Sequence, residues 1–278
     1  MDSIPFEFIE ETLRRVHPEQ ISECARLPTF WGRYAQSLLD RTEHFQLIIN
    51  QSALPELYFY LYRGTQIIKI EDVLKKKHFN IFQFFIINAP GVFPGAMKIE
   101  NEHQIVRLLS RSNGLTFVML SHWAEKTPRI AAFLQAVPRV RQMLVNPDFG
   151  RDVVAVTNLV EKHLQAGCLD GLAFGKDCVP ETFFPLILTF LRSATISEFE
   201  VNVTRENEGF AREMAKTIVG NWRKPENRGR RSAVTANAEI LNFLKAEIAE
   251  DRGIVVEMRA LSMDERFVIL LRSNAART

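Results

Sequence analysis

The chain has 278 residues, 46% of them hydrophobic, and a formal net charge of +2. This length and apolar content can bury a core in one large domain or two modest ones, so wholesale disorder is not expected. The near-balanced charge gives no general attraction to DNA or membranes, and no nucleic-acid partner is expected.

Cysteine usage and the first residues indicate a compartment. The three cysteines, Cys24, Cys168 and Cys178, are scattered and odd in number, which argues against a disulfide framework and for a reducing environment. The segment 1–5 has no basic region before an apolar stretch, and no run reaches the roughly 18 apolar residues of a membrane span. We therefore expect a cytoplasmic or nuclear protein without a membrane partner.

Residues 4 to about 40 carry the pattern of three short helices. Apolar residues recur at helical spacing in the first. Pro18 and Pro28 stand where the second and third would begin, because proline is tolerated in a first helical turn. Three short helices are too small to hold a stable core alone, so they must lean on the next domain or on a partner.

The N-terminal segment contains an Ile-Pro pair, two apolar residues in the following turn, a leucine and a tryptophan in the third helix: Ile4, Pro5, Phe8, Ile9, Leu13 and Trp31. This motif resembles an F-box. With the strand–helix repeats behind it, the opening is similar to F-box-like proteins expanded in nematodes. The resemblance implies that these six residues bind a Skp-family adaptor of a cullin–RING ubiquitin ligase. The alternative is a helical cap that only seals the repeat domain.

From residue 44 the pattern changes to strands. Segments 45–49, 57–62 and 81–87 are rich in β-branched and aromatic residues, which favour pleated surfaces. Residues 70–74 predict one helical turn, and the basic cluster after it suits a solvated helix end. Two turn signals close together indicate a linker over about 88–101.

Four hexads share one pattern, being apolar at positions one, four and six: 115–120, 140–145, 169–174 and 196–201. Their spacing lies within the range of leucine-rich repeats, and each gap holds a helical pattern. We predict parallel neighbouring strands over about 115–203, with these positions buried against helices. The ninth position from each start, where leucine-rich repeats often place Asn or Cys, holds Trp123, Asp148, Asp177 and Thr204.

The residues from 223 onwards are expected to form an exposed connection, one helix and a hairpin at the end of the sheet. The basic segment 223–231 contains Pro and Gly and no interleaved aromatic residue, so it is interpreted as an exposed connection rather than a nucleic-acid site. One amphipathic helix is predicted over 240–248. Segments 253–258 and 266–271 are predicted to pair as an antiparallel hairpin.

No catalytic motif is present in the sequence, and no cofactor is expected. Cys168 and Cys178, with His163 nearby, match zinc-ligand spacing poorly and predict buried structural side chains. An α/β enzyme remains the alternative, with a site assembled from strand-end residues His122, Asp148 and Asp177. A deep pocket gathering them would favour the enzyme, and an open strand face would favour a binding protein.

The resulting prediction is an α/β protein with a helical segment over 1–42 and a strand-rich connector and repeat domain over 43–278. Its function would be non-enzymatic: a substrate receptor that holds a protein target on the repeat strands. We expect the target-facing residues to be Asp170, Glu198 and Glu200, whose charge suits a basic segment. Phe117 and Met119 on the first hexad are expected to be covered by the aromatic-rich segment 44–88.

Overall fold

A computed structural model of the chain describes residues 6–15, 18–91, 94–121, 128–146, 153–224, 227, 231–249, 254–260 and 266–273. Over these residues the protein is mixed α/β, with ten helices and a largely parallel set of strands. The chain divides into two compact units: unit 1 comprises residues 1–119 and 126–140, and unit 2 comprises 120–125 and 141–278. In the parts described, no helix is both long enough and apolar enough to cross a bilayer.

Unit 1 begins with the three predicted helices, α1 (Phe6–Arg15), α2 (Pro18–Ala25) and α3 (Phe30–Arg41). Proline begins α2, as its fixed φ and missing N–H allow. At the end of α3, the Thr42 hydroxyl and backbone N–H both donate to the carbonyl of Leu38. The first strand starts one residue later, so the change from helices to strands occurs at the predicted place.

The sheet of unit 1 contains six strands: β1 (Glu43–Asn50), β2 (Tyr58–Arg63), β3 (Gln66–Ile67), β4 (Phe79–Ile87), β5 (Met97–Lys98) and β6 (Thr116–Leu120). Their order is β6-β4-β1-β2-β3, with β5 also paired to β2. The pair β1–β4 is parallel and β1–β2 is antiparallel. Three helices complete the unit: α4 (Ile70–Leu74), α5 (Glu102–Ser110) and α6 (Pro128–Ala136). The predicted linker 88–101 contains β5, so part of it belongs to the sheet.

Unit 2 repeats a strand and a helix. Its elements are β7 (Val140–Val145), α7 (Val153–Gln165), β8 (Gly171–Cys178), α8 (Phe184–Ser193), β9 (Glu198–Asn202), α9 (Glu208–Trp222), β10 (Arg231–Asn237), α10 (Ala238–Ala249), β11 (Ile254–Ala260) and β12 (Arg266–Ser273). The strand order is β11-β12-β10-β9-β8-β7. Strands β7 to β10 are parallel neighbours, and β12 pairs antiparallel with both β10 and β11. The parallel strands and the terminal hairpin were predicted, but β12 lying between its hairpin partner and β10 was not.

Burial follows the predicted hexad pattern in three of the four segments. Positions one, four and six are buried in 140–145, 169–174 and 196–201. In 115–120 the buried side chains are instead Thr116, Val118 and Leu120, at strict alternation, while Leu115 is half-buried. The prediction is wrong at position one there, because Thr116 turns inward and its hydroxyl donates to the carbonyl of Ile81 at 2.8 Å.

Strand β10 lies next to the segment interpreted as an exposed basic connection. Arg231, the last residue of that segment, is also the first of β10, which pairs with β9 on one side and β12 on the other. Its inward side chains, including Val234 and Ala236, are small and leave only a weak apolar pattern. Most of 223–230 lies outside the described residues.

Candidate functional site

The three N-terminal helices share a small core. Its buried members come from all three helices: Ile9, Leu13, Ile21, Ala35 and Leu38. Trp31 and Tyr34 of α3 pack against this core while remaining partly exposed. Apolar residues at helical spacing on each short helix therefore meet one another, as an amphipathic pattern requires.

The structure places the six predicted adaptor-binding residues in different environments. Ile9 and Leu13 are 2% and 1% exposed, inside the helical core, and Trp31 is half-buried against it. Phe8 is 58% exposed. Ile4 and Pro5 lie outside the described residues.

Each N-terminal segment also presents a large apolar side chain to solvent. Beside Phe8 of α1, Leu27 after α2 is 49% exposed and Phe30 at the start of α3 is 50% exposed. The guanidinium of Arg33 lies 6.0 Å from the centre of the Phe30 ring. We call Phe8, Leu27 and Phe30 the exposed apolar triplet. Leu27 and Phe30 were not among the residues predicted to bind the adaptor; Leu27 precedes Pro28, and Phe30 begins α3.

Two carboxylates attach α1 to the rest of unit 1. Glu10 Oε1 lies 3.8 Å from His78 Nδ1, with both side chains largely buried, and Glu11 Oε1 lies 3.4 Å from Arg139 Nη2. The first contact is an ion pair when the imidazole is protonated. The helices thus lean on the strand-containing part of unit 1, as their small size predicted.

Close packing of α3 against the turn after α2 depends on Gly32. A Cβ added there would lie 1.9 Å from the carbonyl oxygen of Leu27 and 3.2 Å from that of Cys24. The same turn is closed by the N–H of Leu27, which donates to the carbonyl of Cys24 at 3.0 Å. Glycine at this position therefore fixes where Leu27 and Phe30 stand.

The second candidate surface lies on unit 2. Helices α7 to α10 contact one another in chain order, and right-handed crossovers between successive parallel strands put them on one face of the sheet. The other face carries the side chains that alternate with the buried ones. Two rows run across it, Gln142–Gly171–Glu198–Ala233 and Leu144–Ala173–Glu200–Thr235. We call these eight residues the open strand face.

Gly171 of β8 leaves room for a hydrogen bond between β7 and β9 on the open strand face. Gln142 crosses it to donate to Glu198 Oε2 at 3.3 Å, and a Cβ on Gly171 would lie 2.6 Å from Gln142 Cγ. Glu198 is exposed and Glu200 is half-buried. Two of the three predicted target-facing residues therefore stand side by side on this surface.

Asp170, the third predicted target-facing residue, belongs to a polar cluster at the start of the strands. Its carboxylate accepts from Arg141 Nε at 3.1 Å and from the Ser197 hydroxyl at 2.8 Å. Its backbone also bonds both neighbours, since its N–H donates to Arg141 and its carbonyl accepts from Ser197. Asp170 therefore holds three successive strands together.

Asparagines at the ends of strands form the side-chain hydrogen bonds to backbone that leucine-rich repeats would place two residues later, at the ninth position. Asn50, Asn202 and Asn237 are the last residues of β1, β9 and β10. Asn50 and Asn237 donate their side-chain amides to carbonyls just after a neighbouring strand, and Asn202 donates to the carbonyl of Gly175 within β8. Of the four ninth-position residues, Trp123 and Asp148 lie outside the described residues, Asp177 is exposed, and the Thr204 hydroxyl accepts from Asn207 at 3.0 Å. An asparagine directly after the apolar run was the signal available in the sequence.

The predicted burial of cysteines holds only in part. Cys168 is half-buried with its Sγ 3.8 Å from Nδ1 of the buried His163, while Cys178 is exposed. Burial lowers the pKa of His163 to about 4, so this imidazole is neutral at physiological pH. Among the described residues, no three or more His, Cys, Asp or Glu side chains are grouped to hold a metal ion.

Of the residues proposed for an enzyme site, His122 and Asp148 lie outside the described segments and Asp177 is exposed on β8.

Comparisons with known proteins give no independent indication of function: no protein-family model matches the chain, and a search of curated proteins finds no match.

Proposed function

We propose that this protein is a non-enzymatic receptor subunit of the F-box-like type. Its N-terminal helices would dock onto a Skp-family adaptor of a cullin–RING ubiquitin ligase, and its repeat strands would hold a protein target. The observation that carries the proposal is the exposed apolar triplet on a helical segment that has its own core.

The triplet supports docking because three large apolar side chains are exposed on one short segment of the chain. A single exposed apolar residue is normal on a protein surface, whereas several on one small helical body favour an interaction site. Phe8, Leu27 and Phe30 come from 23 consecutive positions on a small helical body. Aromatic side chains, phenylalanine included, are also enriched at the cores of protein interfaces.

The open strand face supports the target-holding part of the proposal. Gly171, Ala173 and Ala233 make it flat, and Glu198 with Glu200 gives it negative charge. An extended basic segment could approach such a surface closely, and opposite charge would steer it. In this scheme Asp170 acts indirectly, by holding the strands in register.

A cap without adaptor binding is the competing function, and the attachment of α1 through Glu10 and Glu11 is the observation that favours it. The two functions differ in what the triplet does. A cap needs the buried core, whereas an adaptor-binding segment needs the exposed side chains as well.

The test is the affinity of the full chain for a purified Skp-family adaptor, measured by titration calorimetry. We expect Phe8→Ala/Phe30→Ala to weaken binding at least tenfold, since truncating aromatic anchors at an interface commonly costs about 2 kcal/mol or more. The melting temperature should change little, because both side chains are about half exposed.

Phe82→Ala is the matched control, since Phe82 is 39% exposed but lies on β4. It should bind the adaptor like the wild type. Trp31→Ala is a poorer test, because Trp31 packs on the helical core and its truncation would lower stability and binding together. No binding by the wild-type chain, or equal loss with the Phe82 control, would leave the cap as the function of these helices.

A further inference from the structure

Unit 1 contains a small cavity between its second strand and two helices. The floor is apolar and buried, formed by Phe59 of β2, Ile70 of α4, Ile99 after β5 and Ile105 of α5. Met97 of β5 also lines it. None of these residues belongs to the exposed apolar triplet or to the open strand face.

The size of the cavity decides what class of ligand it fits. Its volume is ≈ 250 Å³, below the range of about 300–1,000 Å³ over which proteins hold cofactors and drug-sized molecules. The space suits one apolar side chain of a peptide. An apolar floor stabilises such a side chain by removing it from water.

The rim carries excess negative charge. Glu71 and Glu100 line the cavity and are exposed, and within the described part of the chain neither forms an ion pair. Lys98 at the rim is paired with Glu56, which raises the pKa of Lys98 and lowers that of Glu56, and Glu100 also contributes to the raised pKa of Lys98. With Glu56, Glu71 and Glu100 against Lys98, these four residues keep a net negative charge.

An anionic ligand would be the alternative, because α5 begins at the rim and a helix N-terminus attracts anions. The amino end of α5 is already capped by a side chain, however. The Asn101 side chain accepts from the N–H of His103 at 3.0 Å, and Glu102 in the first turn pairs with Arg129, whose guanidinium also donates to the Ile99 carbonyl. With Glu71 and Glu100 alongside, an added anion would be repelled.

We propose that this cavity is a peptide-binding site that takes one apolar side chain flanked by basic residues. The apolar side chain would enter between Ile70 and Ile99, and the flanking cations would lie against Glu71 and Glu100. The site does not depend on adaptor docking, so peptide binding at the cavity and the proposed receptor function can be tested separately.

The test uses the full chain labelled with ¹³C at isoleucine δ1 and methionine ε methyl groups. The probe is the blocked tripeptide acetyl-Lys-Leu-Lys-amide, followed by methyl NMR spectra. We expect saturable shifts of the Ile70, Ile99 and Met97 methyl signals. Acetyl-Lys-Ser-Lys-amide lacks the apolar group and acetyl-Glu-Leu-Glu-amide reverses the charge, so neither should shift these signals comparably.

Glu71→Gln/Glu100→Gln should weaken binding of the Lys-Leu-Lys probe by about threefold or more, since exposed ion pairs are individually weak. Glu161→Gln/Glu206→Gln removes two exposed carboxylates from unit 2 and is the matched control. The proposal is overturned if the probe shifts methyl groups elsewhere, if the serine or acidic peptide binds equally well, or if the control weakens binding as much as the rim variant.

Discussion

Two glycines in helices allow the same substitution to be tested with opposite expected signs. Gly32→Ala should destabilise the protein by about 1–3 kcal/mol, because the new methyl group meets the Leu27 carbonyl and overpacking has costs of this size. Gly220→Ala, on the exposed side of α9, meets nothing within 4 Å. It should stabilise by about 0.5–1 kcal/mol through helix propensity. Urea unfolding followed by circular dichroism compares the two; a neutral Gly32→Ala would mean that the α2–α3 turn is not tightly packed.

His163 should make the stability of unit 2 depend on pH. Its pKa is about 4 in the folded protein and about 6.5 when unfolded, so below pH 6.5 the unfolded chain binds the proton more readily. The stabilising contribution is complete above pH 6.5 and is lost as the pH falls towards 4. We expect the free energy of unfolding to drop by about 1 kcal/mol between pH 7 and pH 5.5 from this group.

The variant His163→Gln cannot titrate and isolates that contribution. The difference between its free energies of unfolding at pH 7 and pH 5.5 should be smaller than that of the wild type by the same amount. Urea titrations at the two pH values provide the comparison. An unchanged pH dependence would show that His163 does not lose its neutral environment on unfolding.

Burial of individual residues was partly predictable. Alternation and helical spacing correctly indicate burial at every predicted hexad position except Leu115, because the periods of strand and helix are fixed by backbone geometry. The same patterns could not say whether Ile9 and Leu13 face a partner or their own helices, since both uses need the same apolar stripe. The burial of Thr116 was not predicted, because it depends on a carbonyl that accepts a hydrogen bond from the hydroxyl. That carbonyl belongs to Ile81, 35 residues earlier in the sequence.

At the scale of elements, helix α8 depends on its neighbour for its carboxyl end. The amide of the buried Asn221 on α9 donates to the carbonyls of Leu191 and Ala194, at 2.8 and 3.0 Å. Asn221→Ala should lower the free energy of unfolding by about 2 kcal/mol, because two buried carbonyls lose their donor. Asn242→Ala, at an exposed position of α10, is the control and should be close to neutral. Equal stability of the two variants, measured by thermal unfolding, would contradict this role.

Long and strongly apolar elements were predicted well, and short or weakly apolar ones were not. The helices and strands with continuous apolar faces appear where their patterns indicated. Strand β10 was missed because its inward residues are small, and β5 because two residues carry no periodicity. Both exist because a neighbouring strand supplies backbone partners, which no local pattern records.

At the scale of the whole molecule, the charge of the open strand face should control the salt dependence of target binding. Glu198→Lys/Glu200→Lys should abolish the loss of target that rising salt causes, because the basic target segment would no longer be attracted. Affinity capture at low and high salt, quantified by mass spectrometry, measures this. The free energy of unfolding should change little compared with the loss of salt dependence, because Glu198 is exposed and Glu200 is partly exposed.

Glu161→Lys/Glu206→Lys carries the same charge change away from the open strand face and should keep the wild-type salt dependence. If target capture is unchanged by the charge reversal at Glu198 and Glu200, targets bind elsewhere on the molecule.

The order of strands was the least predictable feature at this scale. A hairpin beside β10 satisfies the same hydrophobic pattern with either of its strands innermost.

The placement of β12 has a consequence for synthesis on the ribosome. Strands β7 to β10 can pair in the order in which they emerge, because each follows its neighbour along the chain. Strand β11 emerges next but does not pair with β10, since β12 pairs with that edge of β10 in the folded protein. Until β12 follows, β10 lacks a partner on one edge and β11 lacks a partner altogether, and unpaired strand edges can pair with other chains. A chain from which β11 has left the exit tunnel and β12 has not is therefore prone to aggregation, and a chaperone bound to it at that stage would shield β10 and β11 together.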